Sequence, residues 1–143
     1  MAAPRQQKLT GGCLCGAVRY ETEAEPLFAG LCHCRDCLKA TGSGFAAYIG
    51  FNLADVRISG ATKRYTKQAE SGGLSGRVFC TACGTTVYGD GGEDGESGVI
   101  TIYAGTLDDP SLFQPQVIIF ARSRPHWAVT MDHLPRYEAT PRH

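Results

Sequence analysis

Three thiols crowd into six residues at Cys32-His33-Cys34-Arg35-Asp36-Cys37, a C-x-C-x-x-C cluster. A hydrophobic core gains little from three small side chains at one point, whereas a soft metal ion takes several thiolates at once. The expected chemistry is three sulfur ligands to one ion, offered by a single loop. Two further groups flank it, Cys13-Leu14-Cys15 upstream and Cys80-Thr81-Ala82-Cys83 downstream, and together the three groups hold all seven cysteines.

A tetrahedral zinc ion takes four protein ligands in a structural site, and three plus an exchangeable one in a reactive site. Seven thiols therefore divide as four plus three. Spacing alone allows Cys34 and Cys37 to join Cys80 and Cys83, resembling a zinc ribbon and leaving Cys13, Cys15 and Cys32. It equally allows Cys13 and Cys15 to join Cys80 and Cys83, leaving the central cluster intact. Glycines favour the second division: Gly16 follows Cys15 and Gly84 follows Cys83, whereas Leu38 follows Cys37. Glycine after the last thiolate lets the backbone turn tightly and aim N–H groups at sulfur. A closed site of Cys13, Cys15, Cys80 and Cys83 would convert metal-binding free energy, on the order of 10 kcal/mol, into folding free energy.

Cys32, Cys34 and Cys37 are then the candidate metal ligands and catalytic residues, with a fourth position open to water or a substrate thiolate. His33 is a further candidate for that position, although its place between two ligating cysteines in an extended segment points it away from the ion; His126 and His133 rank below it, since nothing in the sequence brings them close. Two competing readings stand beside this one. The central cluster can be a second, purely structural zinc site, or Cys34 and Cys37 a redox dithiol, although the βαβ context of a thioredoxin-like protein is missing.

The elements that must position these groups are short strands. Val18 and Tyr20 alternate with Arg19 and Glu21, the period of two of a half-buried strand. Leu27–Leu31 runs into the central cluster, and Phe45–Phe51 is an apolar, aromatic run suited to a sheet. Val56 and Ile58 alternate around Arg57, and Lys63–Lys67 reads as a strand with a solvated charged face. Arg77–Phe79 and Thr85–Tyr88 form a hairpin whose tip is the C-x-x-C knuckle. Val99–Ala104 and Val117–Phe120 are the clearest strands. Leu38–Thr41 makes one helical turn, stopped by Gly42. Gly89–Gly98 reads as a solvated acidic loop, its carboxylates lacking the spacing of an EF-hand. The expectation is a mainly β domain over residues 10–136, with a flexible arm at 1–9 and a tail at 137–143.

Fourteen basic residues balance fourteen acidic ones, so no global field attracts nucleic acid or an anionic membrane. No segment approaches the roughly 20 apolar residues of a membrane span, and residues 1–10 do not read as a secretory signal. The expected compartment is cytoplasmic and reducing, where closely set cysteines bind metal or catalyse rather than form disulfides.

The ordered pattern G-G-C-L-C-G-A-V-R-Y, C-H-C-R-D-C, F-C-x-x-C-G-T and R-P-H-W-A resembles the glutathione-dependent formaldehyde-activating enzyme family, which includes the centromere protein V domain. The resemblance spans roughly Thr10 to Pro135. It implies an Mss4-like fold of short antiparallel sheets with two zinc sites. It also implies that Cys13, Cys15, Cys80 and Cys83 hold a structural zinc, and that glutathione and zinc meet at Cys32, Cys34 and Cys37. The implied activity is of the carbon–sulfur lyase class, joining formaldehyde and glutathione into S-hydroxymethylglutathione. The expected partners are a glutathione-like thiol and a small aldehyde. By position alone, Arg35, Arg122 and Arg124 are candidates to receive carboxylates, beside their plainer reading as surface charge, and Gly42-Ser43-Gly44 to offer N–H groups, beside its reading as a plain turn. A non-catalytic zinc-stabilised scaffold and a glutathione or zinc carrier are the alternatives.

Overall fold

The computed structural model describes residues 8–70, 72–128 and 133–141. In chain order its strands begin with β1 (Leu9–Gly12), β2 (Arg19–Thr22), β3 (Phe28–Cys32), β4 (Ala46–Asn52) and β5 (Val56–Ser59). They continue with β6 (Thr62–Gln68), β7 (Leu74–Cys80), β8 (Thr86–Gly91), β9 (Val99–Tyr103) and β10 (Val117–Ile119). One helix, α1 (Arg35–Thr41), interrupts them between β3 and β4.

Two sheets result. The smaller has the order β1-β2-β5, and the larger has the order β10-β3-β4-β9-β8-β7-β6. Every pairing is antiparallel except β10 with β3, which is parallel. The expected mainly β class is therefore what the chain adopts.

The period of two along each strand divides the larger sheet into two working faces. On one face Ile49 and Phe51 of β4 and Ile100 and Ile102 of β9 pack with Leu9, Val18 and Tyr20 into the main core. Removing a large side chain such as Phe51 or Ile100 from water stabilises the fold by about 1.5–3 kcal/mol each. The intervening residues, Ala46 and Tyr48 of β4 and Tyr103 of β9, turn to the other face and pack with Cys32, Cys34 and Cys37. One sheet thus carries the core on one side and the central thiols on the other.

Several expectations change. The central cluster is not one loop: Cys32 ends β3, Cys34 caps α1, and Cys37 lies within the helix, which begins at Arg35 rather than Leu38. Cys34 accepts the N–H of Cys37, so a thiol does the capping that Ser or Asp usually does. Gly42 ends the helix in a left-handed conformation, donating to the Leu38 carbonyl. The boundary placed after residue 9 falls inside β1, where Leu9 is buried. The rest of the expected arm, residues 1–7, and the last two residues of the tail lie outside the described residues.

The acidic loop starts later than expected, because β8 continues through Asp90 and Gly91. Asp90 is not solvated: its side chain is 2% exposed and paired with Arg64 of β6. The strand expected at Val117–Phe120 forms over Val117–Ile119 as an exposed edge strand, held by its backbone to β3.

Candidate functional site

The sulfurs of Cys13, Cys15, Cys80 and Cys83 lie within 4.8 Å of one another, and so, in a separate group, do those of Cys32, Cys34 and Cys37. The alternative pairing of Cys34 and Cys37 with Cys80 and Cys83 does not form. All seven thiols are free. His33, His126 and His133 belong to neither group.

The four-sulfur group joins the β1–β2 connection to the β7–β8 hairpin. Cys13 and Cys15 approach to 3.6 Å and Cys15 and Cys80 to 3.8 Å. With metal–sulfur bonds of about 2.3 Å, the edge of a ZnS₄ tetrahedron is about 3.8 Å, so these sulfurs already stand at ligand spacing. Backbone N–H groups point at them: Val18 donates to Cys13 at 3.2 Å, and Ala82 to Cys80 at 3.3 Å. Gly16 and Gly84 close the two turns with φ of +85° and +78°, a region that non-glycine residues avoid. Thr85 ties the knuckles together, accepting the Leu14 N–H at 3.1 Å while its hydroxyl lies 3.2 Å from Cys83 Sγ.

The three-sulfur group lies in a cavity of about 260 Å³, which all three thiols line. Phe28, Tyr48, Arg77, Tyr103 and Phe120 share its walls. Sheet register explains the gathering. Tyr48 pairs with Tyr103 across β4 and β9, and Cys32 pairs with Ala46 on one side and Ile119 on the other. A second row runs Arg77, Gly89, Thr101, Gly50, Phe28 through four successive strand pairs. Gly50 lies beneath the Phe28 ring: a Cβ there would come within 2.1 Å of it.

Arg77 was not singled out by spacing, yet it is the guanidinium at the thiols. Its Nη2 lies 3.8 Å from Cys37 Sγ, and its Nη1 donates to the Tyr103 hydroxyl at 2.5 Å. The arginines that were singled out stand elsewhere. Arg35 and Arg124 are exposed, and Arg122 pairs with Glu70, a residue of the cavity wall.

Electrostatics within each group follow from crowding. Cys37 is held down at about 6, first by its hydrogen bond with Cys32 and then, against burial, by Cys34 and Arg77. Cys32 is pushed up by the same contact with Cys37 and by burial, and Cys34 is pushed up chiefly by burial. In the four-sulfur group Cys83 is held at about 5, chiefly by the Thr85 hydroxyl. Cys15 keeps a backbone hydrogen bond at Ala17 that lowers it, but its neighbours Cys13, Cys83 and Cys80 and partial burial lift it to about 11. Cys37 in one group, and Cys13 and Cys83 in the other, are held below the ordinary thiol value while neighbours are raised, the behaviour of adjoining groups that share negative charge. Donor type, spacing and charge all fit a soft divalent ion in both groups.

His33 is buried at 1% exposure and serves packing. Its Nδ1 donates to the Gly44 carbonyl at 2.6 Å and its ring meets Phe45 edge-on. It thereby fastens the segment that follows α1. Gly44 belongs to that fastening, its Cα facing Ala128 and Trp127 at close range.

Among the described residues, no helix is long and apolar enough to cross a membrane. A sequence profile of the glutathione-dependent formaldehyde-activating enzyme matches residues 8–123. A Halomonas elongata protein provisionally named glutathione-dependent formaldehyde-activating enzyme is 33% identical over 85 residues, covering 56% of this chain and 54% of that one. An uncharacterized lyase of Schizosaccharomyces pombe is 31% identical over 78 residues, 54% of each chain. The chain thus spans about half the length of the curated relatives it matches. The crystal structure of a Rhodobacter sphaeroides protein from structural genomics superposes with a TM-score of 0.52 at 24% identity, covering 76% of this chain and 97% of that one. That likeness is one of fold. The matched profile covers both thiol groups and the cavity that the group of three lines, and by it the chain belongs to the glutathione-dependent formaldehyde-activating enzyme family.

Proposed function

We propose that the protein is a zinc-dependent enzyme of the carbon–sulfur lyase class, joining a glutathione-like thiol to a small aldehyde such as formaldehyde. The observation that carries this reading is the contrast between the two thiol groups: four sulfurs stand together as a full ligand set for a tetrahedral ion, whereas three sulfurs line an open cavity. Family membership supports the substrate class.

Cys13, Cys15, Cys80 and Cys83 would hold a structural zinc, and Cys32, Cys34 and Cys37 a second one with a free position toward the cavity. An ion held there would supply the chemistry of lowering the pKa of an incoming thiol, so that a thiolate would be present at neutral pH. The protein's own groups supply the rest. Cys34, as the α1 cap, and Cys32, at the end of β3, hold the sulfur set on two rigid elements. Arg77 brings a fixed positive charge against sulfurs that would otherwise repel an anionic partner. Phe28, Tyr48 and Phe120 provide an apolar wall that excludes water from the carbon to be attacked.

The test is calorimetric titration of glutathione into zinc-loaded and zinc-free protein, paired with NMR detection of S-hydroxymethylglutathione formed from formaldehyde. The expected result is binding that needs zinc and adduct formation above the uncatalysed rate. Absence of binding in both states removes the reading. Zinc-dependent binding with no rate enhancement favours a glutathione carrier.

A further inference from the structure

Thiol addition to an aldehyde puts negative charge on the carbonyl oxygen, and a catalyst of that step needs a donor placed for it. The sulfurs cannot provide one, being acceptors once ionised. The cavity holds a donor of the right kind on the wall beside them. Tyr103 and Arg77 both line it, and Arg77 reaches Cys37 with one nitrogen and Tyr103 with the other. Because Nη1 donates to the phenol oxygen, the phenol hydrogen must point elsewhere, and among the described residues it meets no acceptor. A phenol that accepts a charge-assisted hydrogen bond is polarised into a stronger donor.

Topology makes this placement firm. Tyr103 ends β9 and Arg77 lies on β7, with β8 between them. The residue of β8 beside them is Gly89, and a Cβ there would come within 3.3 Å of the Tyr103 hydroxyl. A side chain at that position would stand where the phenol and guanidinium meet.

The geometry points to Tyr103 as a catalytic residue that hydrogen-bonds the aldehyde oxygen during thiol addition, with Arg77 as the positioning residue that aims and polarises it. The inference rests on the thiol–aldehyde reading proposed above. In the step, the thiolate sulfur forms a C–S bond to the carbonyl carbon and the π pair of C=O moves to oxygen. Tyr103 stabilises that charge, and the oxygen then takes one proton from solvent, matching the one the thiol released. Thiol and aldehyde become a hemithioacetal, and nothing else is consumed.

The experiment compares wild type, Tyr103→Phe and Arg77→Lys, each zinc-loaded, with glutathione and formaldehyde as probes. Steady-state kinetics, zinc stoichiometry and calorimetric glutathione affinity are read for each. Tyr103→Phe keeps the ring and is expected to keep two zinc ions and its glutathione affinity while kcat falls about 10²-fold. Arg77→Lys keeps the charge but loses the fork that reaches both partners, and is expected to lose kcat in the same direction with zinc retained. An active wild type with a Tyr103→Phe kcat within about threefold overturns the inference alone. So does loss of the central zinc from Tyr103→Phe, which would make the phenol a support for the metal site. A wild type with no thiol-dependent aldehyde consumption overturns the parent reading and this one together.

Discussion

Arg77 on β7 places its Nη2 3.8 Å from Sγ of Cys37 on α1, 40 residues away in the chain. This contact sets a permanent positive charge beside the sulfur whose thiol is held lowest in its group. It is the link between the metal-ligand pattern of the sequence and the cavity of the fold.

Thiol ionisation should report that contact directly in zinc-free protein. Cys37 is held at about 6 against an ordinary value of 9.0, so its thiolate forms as pH rises through about 6. Alkylation by iodoacetamide, followed by peptide mass spectrometry, is expected to show Cys37 reacting with that inflection. The Cys32 contact is the larger cause and Arg77 a lesser one. Cys32→Ala should therefore move the inflection up further than Arg77→Met does. An unchanged profile in both variants would contradict the assignment.

The two thiol groups should respond differently to loss of one sulfur. Cys13→Ser breaks the set of four, and the metal's contribution of about 10 kcal/mol is comparable with the entire stability of a domain this size. The variant is expected to be unfolded by circular dichroism. Cys34→Ser is expected to fold, because serine is itself a good helix cap and can accept the Cys37 N–H in place of the sulfur. It should retain one zinc and lose thiol binding. If Cys34→Ser also unfolds, the central group is structural.

Gly84 is the third prediction. Its φ of +78° closes the Cys80–Cys83 knuckle, and nothing surrounds the place a Cβ would take. Gly84→Ala is therefore strained by conformation alone, by about 1–2 kcal/mol, measurable by urea denaturation. No loss of stability would show that the knuckle does not depend on this turn.

Asp90 and Arg64 supply the fourth. Arg64→Ala leaves a carboxylate that is 2% exposed without its guanidinium, an arrangement that costs about 3–5 kcal/mol. Asp90 also borders the cavity, so the loss should appear in both denaturation midpoint and thiol affinity. A midpoint close to that of wild type would show the pair to be dispensable.

Cysteine spacing and the glycines after Cys15 and Cys83 announced the four-plus-three grouping, because both are local signals. Local chemistry also marked the β7–β8 hairpin and the stop at Gly42. What stayed hidden was set by strand order. Tyr48 and Tyr103 sit in apolar strand runs that do not say which face each takes, and register turns them to the cavity face. Arg77 opens a strand with an ordinary charge, and only the order β4-β9-β8-β7 carries it toward Cys37. Asp90 read as loop because its glycine neighbours do, whereas Gly76 and Gly95 in fact leave the close space its carboxylate occupies.

The central claim is that the group of three sulfurs forms an open, exchangeable site while the group of four is closed. Chelation of the zinc-loaded protein with a mild chromogenic chelator tests it most directly, following zinc release per chain with and without glutathione. The account predicts two phases of one equivalent each, the fast one slowed by glutathione and absent from Cys34→Ser. Two equally resistant ions, or a fast phase indifferent to glutathione, would contradict it.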